Sequence, residues 1–172
     1  ISFGGADSSN ITLRALQALL NINNKLNIHV LSGPVNQNIK TWVSQFNLSG
    51  KVTFYSGLSG AEVCHLIKKC DAAIIPNSSL SIEACAIGIL MITGTTADNQ
   101  LGYYNAFIKN KLSIGVGNWE QCNEEEIVEK FNALLHLSQE QVNEQLNNQK
   151  KYIDGLSGKR ILNEVEKFIN GV

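Results

Sequence analysis

The sequence predicts an α/β domain: one parallel sheet of about six strands lying between two layers of helices. Three observations predict it. Short apolar runs of about four to six residues alternate with longer amphipathic stretches along most of the chain. Each run is nearly continuous in its apolar character, as expected of strands covered on both faces. The stretches between them carry helical periodicity, which suits right-handed βαβ crossovers in an open sheet.

The elements follow in order. Ile1-Ser2-Phe3 reads as the tail of a strand already in progress. Ile11, Leu13, Leu16, Leu19 and Leu20 then recur at helical spacing. Ile28-His29-Val30-Leu31 is the next strand, and Ile39, Trp42, Val43 and Phe46 mark the next helix. Val52-Thr53-Phe54-Tyr55 is followed by a helix on Val63, Leu66 and Ile67. Ala72-Ala73-Ile74-Ile75 leads to a helix on Ile82, Cys85 and Ala86. Leu90-Met91-Ile92-Thr93 leads to one carrying Tyr103, Tyr104 and Asn105, and Ser113-Ile114-Gly115-Val116 is the last strand. Beyond it the pattern is helical and polar-rich over residues 124–137 and 138–153, then again over 159–169. The break before that last helix is Asp154-Gly155-Leu156-Ser157-Gly158.

The 172 residues are expected to form a single domain, 1–172, large enough to bury a core without a metal or disulfide staple. Fourteen Lys and Arg against 15 Asp and Glu give a net charge of -1, which argues against a nucleic-acid surface. No apolar run approaches the ~20 residues of a membrane span. Cys64, Cys70, Cys85 and Cys122 make no C-x-x-C pair and fit no common zinc spacing, so they read as thiols in a reducing cytoplasm. His29, His65 and His136 are scattered without a triad or H-E-x-x-H signature. The chain lacks an initiator Met and starts abruptly, so it is expected to be a fragment of a longer protein.

Ligands of open α/β sheets bind at the carboxyl ends of the strands, and that rule selects three loops. In Gly4-Gly5-Ala6-Asp7-Ser8-Ser9-Asn10, two glycines allow close approach of a ligand. The helix start that follows offers amides to a phosphate. The same residues also read as a tight turn capped by Asp7 or Ser9. Pro76-Asn77-Ser78-Ser79-Leu80-Ser81-Ile82-Glu83 is a small-residue loop opening a helix. Ser79 and Glu83 lie close to capping-box spacing, which makes Glu83 a helix-stabilising carboxylate. Alternatively, Glu83 accepts two hydrogen bonds from a ribose diol. In Thr95-Thr96-Ala97-Asp98-Asn99-Gln100, Asp98 reads as a helix N-cap, and the polar side chains also suit sugar hydroxyls.

Together and in this order, these loops resemble the C-terminal half of GT-B enzymes that use UDP-sugars. The nearest family is the UDP-sugar hydrolase of pseudaminic acid biosynthesis. More distant is the N-acetylglucosaminyltransferase of the lipid-linked peptidoglycan precursor. Four stretches carry the likeness: Ile1-Ser2-Phe3-Gly4-Gly5-Ala6-Asp7; Ser79-Leu80-Ser81-Ile82-Glu83-Ala84-Cys85-Ala86-Ile87-Gly88; Ala97-Asp98-Asn99-Gln100; and Ile153-Asp154-Gly155-Leu156-Ser157-Gly158-Lys159-Arg160. The sequence departs from the pattern at Asn77-Ser78, where relatives carry Gly-Gly or Ser-Gly, and at Leu90, where they carry Pro.

The resemblance implies a Rossmann-like half-domain whose partner is a UDP-sugar. It implies diphosphate contacts at Gly5 and around Ser78 and Ser79, ribose hydroxyls on Glu83, and donor-sugar contacts at Asn99 and Gln100, with Gly4 and Asp98 also in the nucleotide-sugar site. Uracil would sit near Tyr55. Catalytic residues are expected in an N-terminal half-domain, with UDP displaced at the anomeric carbon by water or by an acceptor in glycan or polysaccharide biosynthesis. No cofactor is implied, and the absence of a D-x-D motif leads to an expectation of no metal. The competing reading is a non-catalytic α/β module that lost the nucleotide site, with the bulk of Asn77 as its support. The last helices are expected to pack on the sheet, with an apolar patch left exposed along Ile161, Val165 and Phe168.

Overall fold

The computed structural model describes residues 1–4, 7, 9–22, 26–33, 41 and 51–170. The helix expected on Ile39, Trp42, Val43 and Phe46 lies outside the described residues, as does Gly5.

The described elements follow the alternation of the sequence. They are α1 (Ile11–Ile22), β1 (Ile28–Leu31), β2 (Val52–Tyr55), α2 (Gly60–Ile67), β3 (Ala72–Pro76), α3 (Ser79–Ile87), β4 (Leu90–Thr95), α4 (Leu101–Lys109), β5 (Ile114–Asn118), α5 (Glu124–Leu135), α6 (Gln139–Tyr152) and α7 (Ser157–Asn170). The apolar runs become strands because both faces are covered. Ile28, Val30, Val52, Ile74 and Ile92 enter one core cluster with α1 and α5, while Ile75 and Met91 enter another with α3 and α4.

All described pairings are parallel: β1 with β2, and β3 with β4 with β5. Residues 1–3 join the two groups. Leu31 donates to the Ile1 carbonyl at 2.9 Å, and Ser2 donates to the Ile74 carbonyl at 3.1 Å. The Ile1 amine donates to the His29 carbonyl at 2.8 Å. Partners 29 and 31 flank Ile1 in the manner of a parallel pair. The spatial order is therefore β2, β1, residues 1–3, β3, β4, β5, the doubly wound order of a Rossmann-like domain. The six strands expected from the sequence are five assigned strands and this opening segment.

Several helix starts are set by reciprocal caps. In α2 the Ser59 amide bonds to Glu62, in α5 Asn123 bonds with Glu126, and in α6 Ser138 bonds with Gln141. Helix α6 is tied to the sheet by Gln149, wholly buried, whose Nε2 donates to the carbonyls of Ile89 at 2.9 Å and Leu112 at 2.8 Å. Helix α7 departs from expectation: none of its residues is buried, so it does not pack on the sheet. Ile161, Leu162, Val165, Phe168 and Ile169 are all exposed, Phe168 by 88%. The apolar patch foreseen along this helix is therefore present. Its start is held by Arg160, which donates to both Asp154 oxygens at 2.7 and 2.9 Å.

Candidate functional site

The chain leaves neighbouring strand ends toward opposite faces at one place. Residues 1–3 lead to α1 on one face, and β3 leads to α3 on the other. This is the topological switch point, where an open sheet leaves a crevice for a ligand. It brings together Gly4, the Asn77-Ser78-Ser79 stretch and, from β4 next door, residues 96–100.

Gly4 has φ +78°, a conformation that favours glycine, and a Cβ there would meet nothing within 4 Å. Backbone and open space therefore border the crevice at this point. Asp7 decides the first loop: its two oxygens accept from the amides of Ile11 and Thr12 at 2.8 Å each. The amides of α1 that the sequence offered to a phosphate are thus taken, and Asp7 acts as the cap.

The start of α3 is different. Ser81 Oγ accepts from the Ser78 amide at 3.2 Å and donates to the Ser78 carbonyl at 2.8 Å. This closes the cap and leaves the amides of Ser79 and Leu80 without an acceptor among the described residues. An N-terminus of this kind suits an anion. The expected pairing of Ser79 with Glu83 is not formed, because Ser81, wholly buried and two residues closer, takes that role. Glu83 is exposed, lies one turn below Ser79 on the same side of the helix, and makes no hydrogen bond or ion pair among the described residues.

In the third loop, residues Asp98–Gln100 form a single 3-10 turn that begins at Asp98, with Ala97 before it. Asp98 therefore does not cap α4 as expected. Asp98 and Asn99 are exposed and make no side-chain bond among the described residues, whereas Gln100 Oε1 is occupied by the Thr96 amide at 2.8 Å. Tyr55 is set apart from this group. It lies on β2, two strand positions from residues 1–3. Its carbonyl accepts from Ser32 at 3.0 Å, and its hydroxyl meets His29 Nδ1 at 3.2 Å.

One residue was not foreseen as part of this region. Arg14, on α1, reaches the Glu120 carbonyl at 3.5 Å, and Ser9 donates to Glu120 Oε1 at 2.9 Å. These contacts hold the first loop against the turn after β5. The signal was a lone arginine in the first turns of a helix that follows a glycine pair. Asn77 was expected to add bulk in the crevice. It is instead 0% exposed, and neither polar atom of its carboxamide has a partner among the described residues.

Among the described residues, no group of three or more His, Cys, Asp or Glu side chains is placed to hold a metal ion. The thiols are chemically quiet where they are buried: burial pushes Cys85 up to about 12 and Cys122 up to about 11. No helix of the described residues is long and apolar enough to cross a membrane.

The sequence pattern of the family described as "Glycosyl transferases group 1" matches residues 10–152. The chain belongs to that family. An uncharacterised protein of Methanocaldococcus jannaschii is 28% identical over 112 residues, which covers 63% of this chain and 23% of that relative. Among solved structures, the S. aureus MnaA–UDP co-structure matches 99% of this chain and 46% of its own, with a TM-score of 0.75 and 11% identity. The spinosyn rhamnosyltransferase SpnG bound to spinosyn aglycone matches 91% of this chain and 40% of its own, with a TM-score of 0.71 and 14% identity. The UDP-GlcNAc 2-epimerase of Methanocaldococcus jannaschii matches 95% of this chain and 45% of its own, with a TM-score of 0.51 and 15% identity. This chain thus spans less than half the length of these proteins. At such identities the likeness is one of fold, that of a GT-B Rossmann-like half.

Proposed function

We propose that this chain is the nucleotide-sugar-binding half of a GT-B enzyme that displaces UDP at the anomeric carbon in glycan biosynthesis. One observation carries the reading: at the switch-point crevice, α3 presents two free amides while Glu83, one turn in, makes no bond among the described residues. Gly4, Gly5, Ser78 and Ser79 take the diphosphate, and Glu83 takes the ribose hydroxyls. Asp98, Asn99 and the reach of Gln100 serve the donor sugar. Uracil lies toward the β2 end near Tyr55. The task of these groups is to position the leaving diphosphate and stabilise its charge, which helix amides do with fixed dipoles.

The attacking group is water, as in the pseudaminic acid hydrolase that the four motif stretches resemble, or the hydroxyl of an acceptor, as in a transferase. The catalytic residues then belong to an N-terminal half-domain, and the bare apolar face of α7 suits packing against it. Four free thiols agree with a cytoplasmic setting. The competing reading, a module that lost its site, leaned on the bulk of Asn77. With that side chain buried, this support is gone.

The test is calorimetric titration of UDP into the full-length protein, with ADP as the control. Saturable one-site binding of UDP, far tighter than that of ADP, is expected. No UDP binding at millimolar ligand overturns the assignment.

A further inference from the structure

We propose that the Asn77 carboxamide is a recognition group of the crevice, reading a hydroxyl of the bound nucleotide sugar. The proposal rests on the reading of the crevice given above.

Asn77 continues β3: its amide donates to the Gly94 carbonyl at 2.8 Å, so the ladder still holds it. Ile75, two residues earlier, packs in the cluster on the α3 and α4 face. Alternation along the strand therefore turns the Asn77 side chain to the face on which α3 starts. The next residue, Ser78, is the N-cap of that helix. Asn77 thus stands directly below the helix terminus whose first two amides are open.

Its side chain is 0% exposed, with both Nδ2 and Oδ1 unpartnered among the described residues. Buried carboxamides are almost always hydrogen-bonded, because leaving one unpaired forfeits its hydration. No structural duty explains the residue. The ladder bond comes from its backbone, and the cap is made by Ser78 and Ser81. An aliphatic side chain would fill the same space without the loss.

The missing partner must both donate and accept. Phosphate oxygens only accept, and would leave Oδ1 unpaired. A sugar hydroxyl does both. Because the carboxamide has no bond to break, rotation about its Cα–Cβ bond toward the crevice sacrifices no hydrogen bond when such a group arrives.

The experiment compares the full-length wild type with Asn77→Leu and Asn77→Ala, titrating each with UDP and with UDP-N-acetylglucosamine and melting each without ligand. Both variants are expected to lose about tenfold in affinity, as removal of two hydrogen bonds implies. The ligand-free melt of Asn77→Leu should rise or hold. A loss shared by both ligands places the hydroxyl on the ribose, and a loss confined to the UDP-sugar places it on the donor sugar. The alanine variant carries the test if leucine overfills the site. Wild-type affinity for both ligands in either folded variant overturns the proposal. So does an affinity loss matched by a falling melt, which would make Asn77 structural. If the wild type binds neither ligand, the reading of the crevice fails first and the proposal goes with it.

Discussion

Replacing Glu83 by glutamine separates ligand binding from folding. The carboxylate is exposed and bonds to nothing among the described residues, while Ser81 makes the cap of α3. The change therefore disturbs no intramolecular contact, and its effect on stability should stay within ~0.5 kcal/mol. For a chain of this length that is a shift of about 1–2 °C in Tm. Binding is another matter. A carboxylate holding two ribose hydroxyls makes charge-assisted bonds worth roughly 1.5–3 kcal/mol each. Glutamine keeps one acceptor oxygen and no charge, so the loss should reach at least ~1.4 kcal/mol, or tenfold in UDP affinity. Ser81→Ala is the reciprocal control: it removes the buried cap, should cost ~1 kcal/mol of stability, and should leave UDP affinity within about twofold. Calorimetric titration and a thermal melt of each variant supply both readings. Equal UDP affinity of Glu83→Gln and wild type refutes the ribose assignment. A fall of several degrees in Tm without an affinity change returns Glu83 to a structural role.

Three further outcomes are expected. Gly94→Ala would place a Cβ 2.6 Å from both the Gly117 carbonyl and Val116 Cγ2, and 2.9 Å from Trp119 Nε1. Because one obstacle is backbone, β5 must shift, and urea titration should show a loss of ~1–3 kcal/mol. The Arg160 guanidinium holds the Asp154 carboxyl down to about 2. Its stabilising effect on the start of α7 is complete above the ordinary carboxylate range and is lost as pH falls through about 2. Amide exchange over residues 157–162 should thus report loosening on acidification, and Asp154→Asn should reproduce it at neutral pH with the body's Tm unchanged. Phe168→Ser should leave the Tm of this chain within about 1 °C, since the ring is 88% exposed. In the full-length protein it should lower the Tm, and an unchanged melt there shows that nothing covers α7.

The alternation of strands and helices was legible in the residue order, because one-dimensional periodicity records which residues must face a core. Ile28-His29-Val30-Leu31 and Leu90-Met91-Ile92-Thr93 could be read as strands for that reason, and α7 as an amphipathic helix for the same one. The three crevice loops were legible too, through their glycines, serines and position after strands. Only the tertiary structure decided which polar groups remain free. Asp7 spends both oxygens on α1, Gln100 is spent on Thr96, Tyr55 meets His29, and Ser81 rather than Glu83 closes the cap of α3. It also decided that Asn77 is buried rather than projecting into the crevice, and that residues 1–3 lie between β1 and β3. The reason is competition. Several partners lie within sequence reach of each polar group, and the winner is set by distances of about 3 Å that exist only once strands from distant parts of the chain are placed side by side.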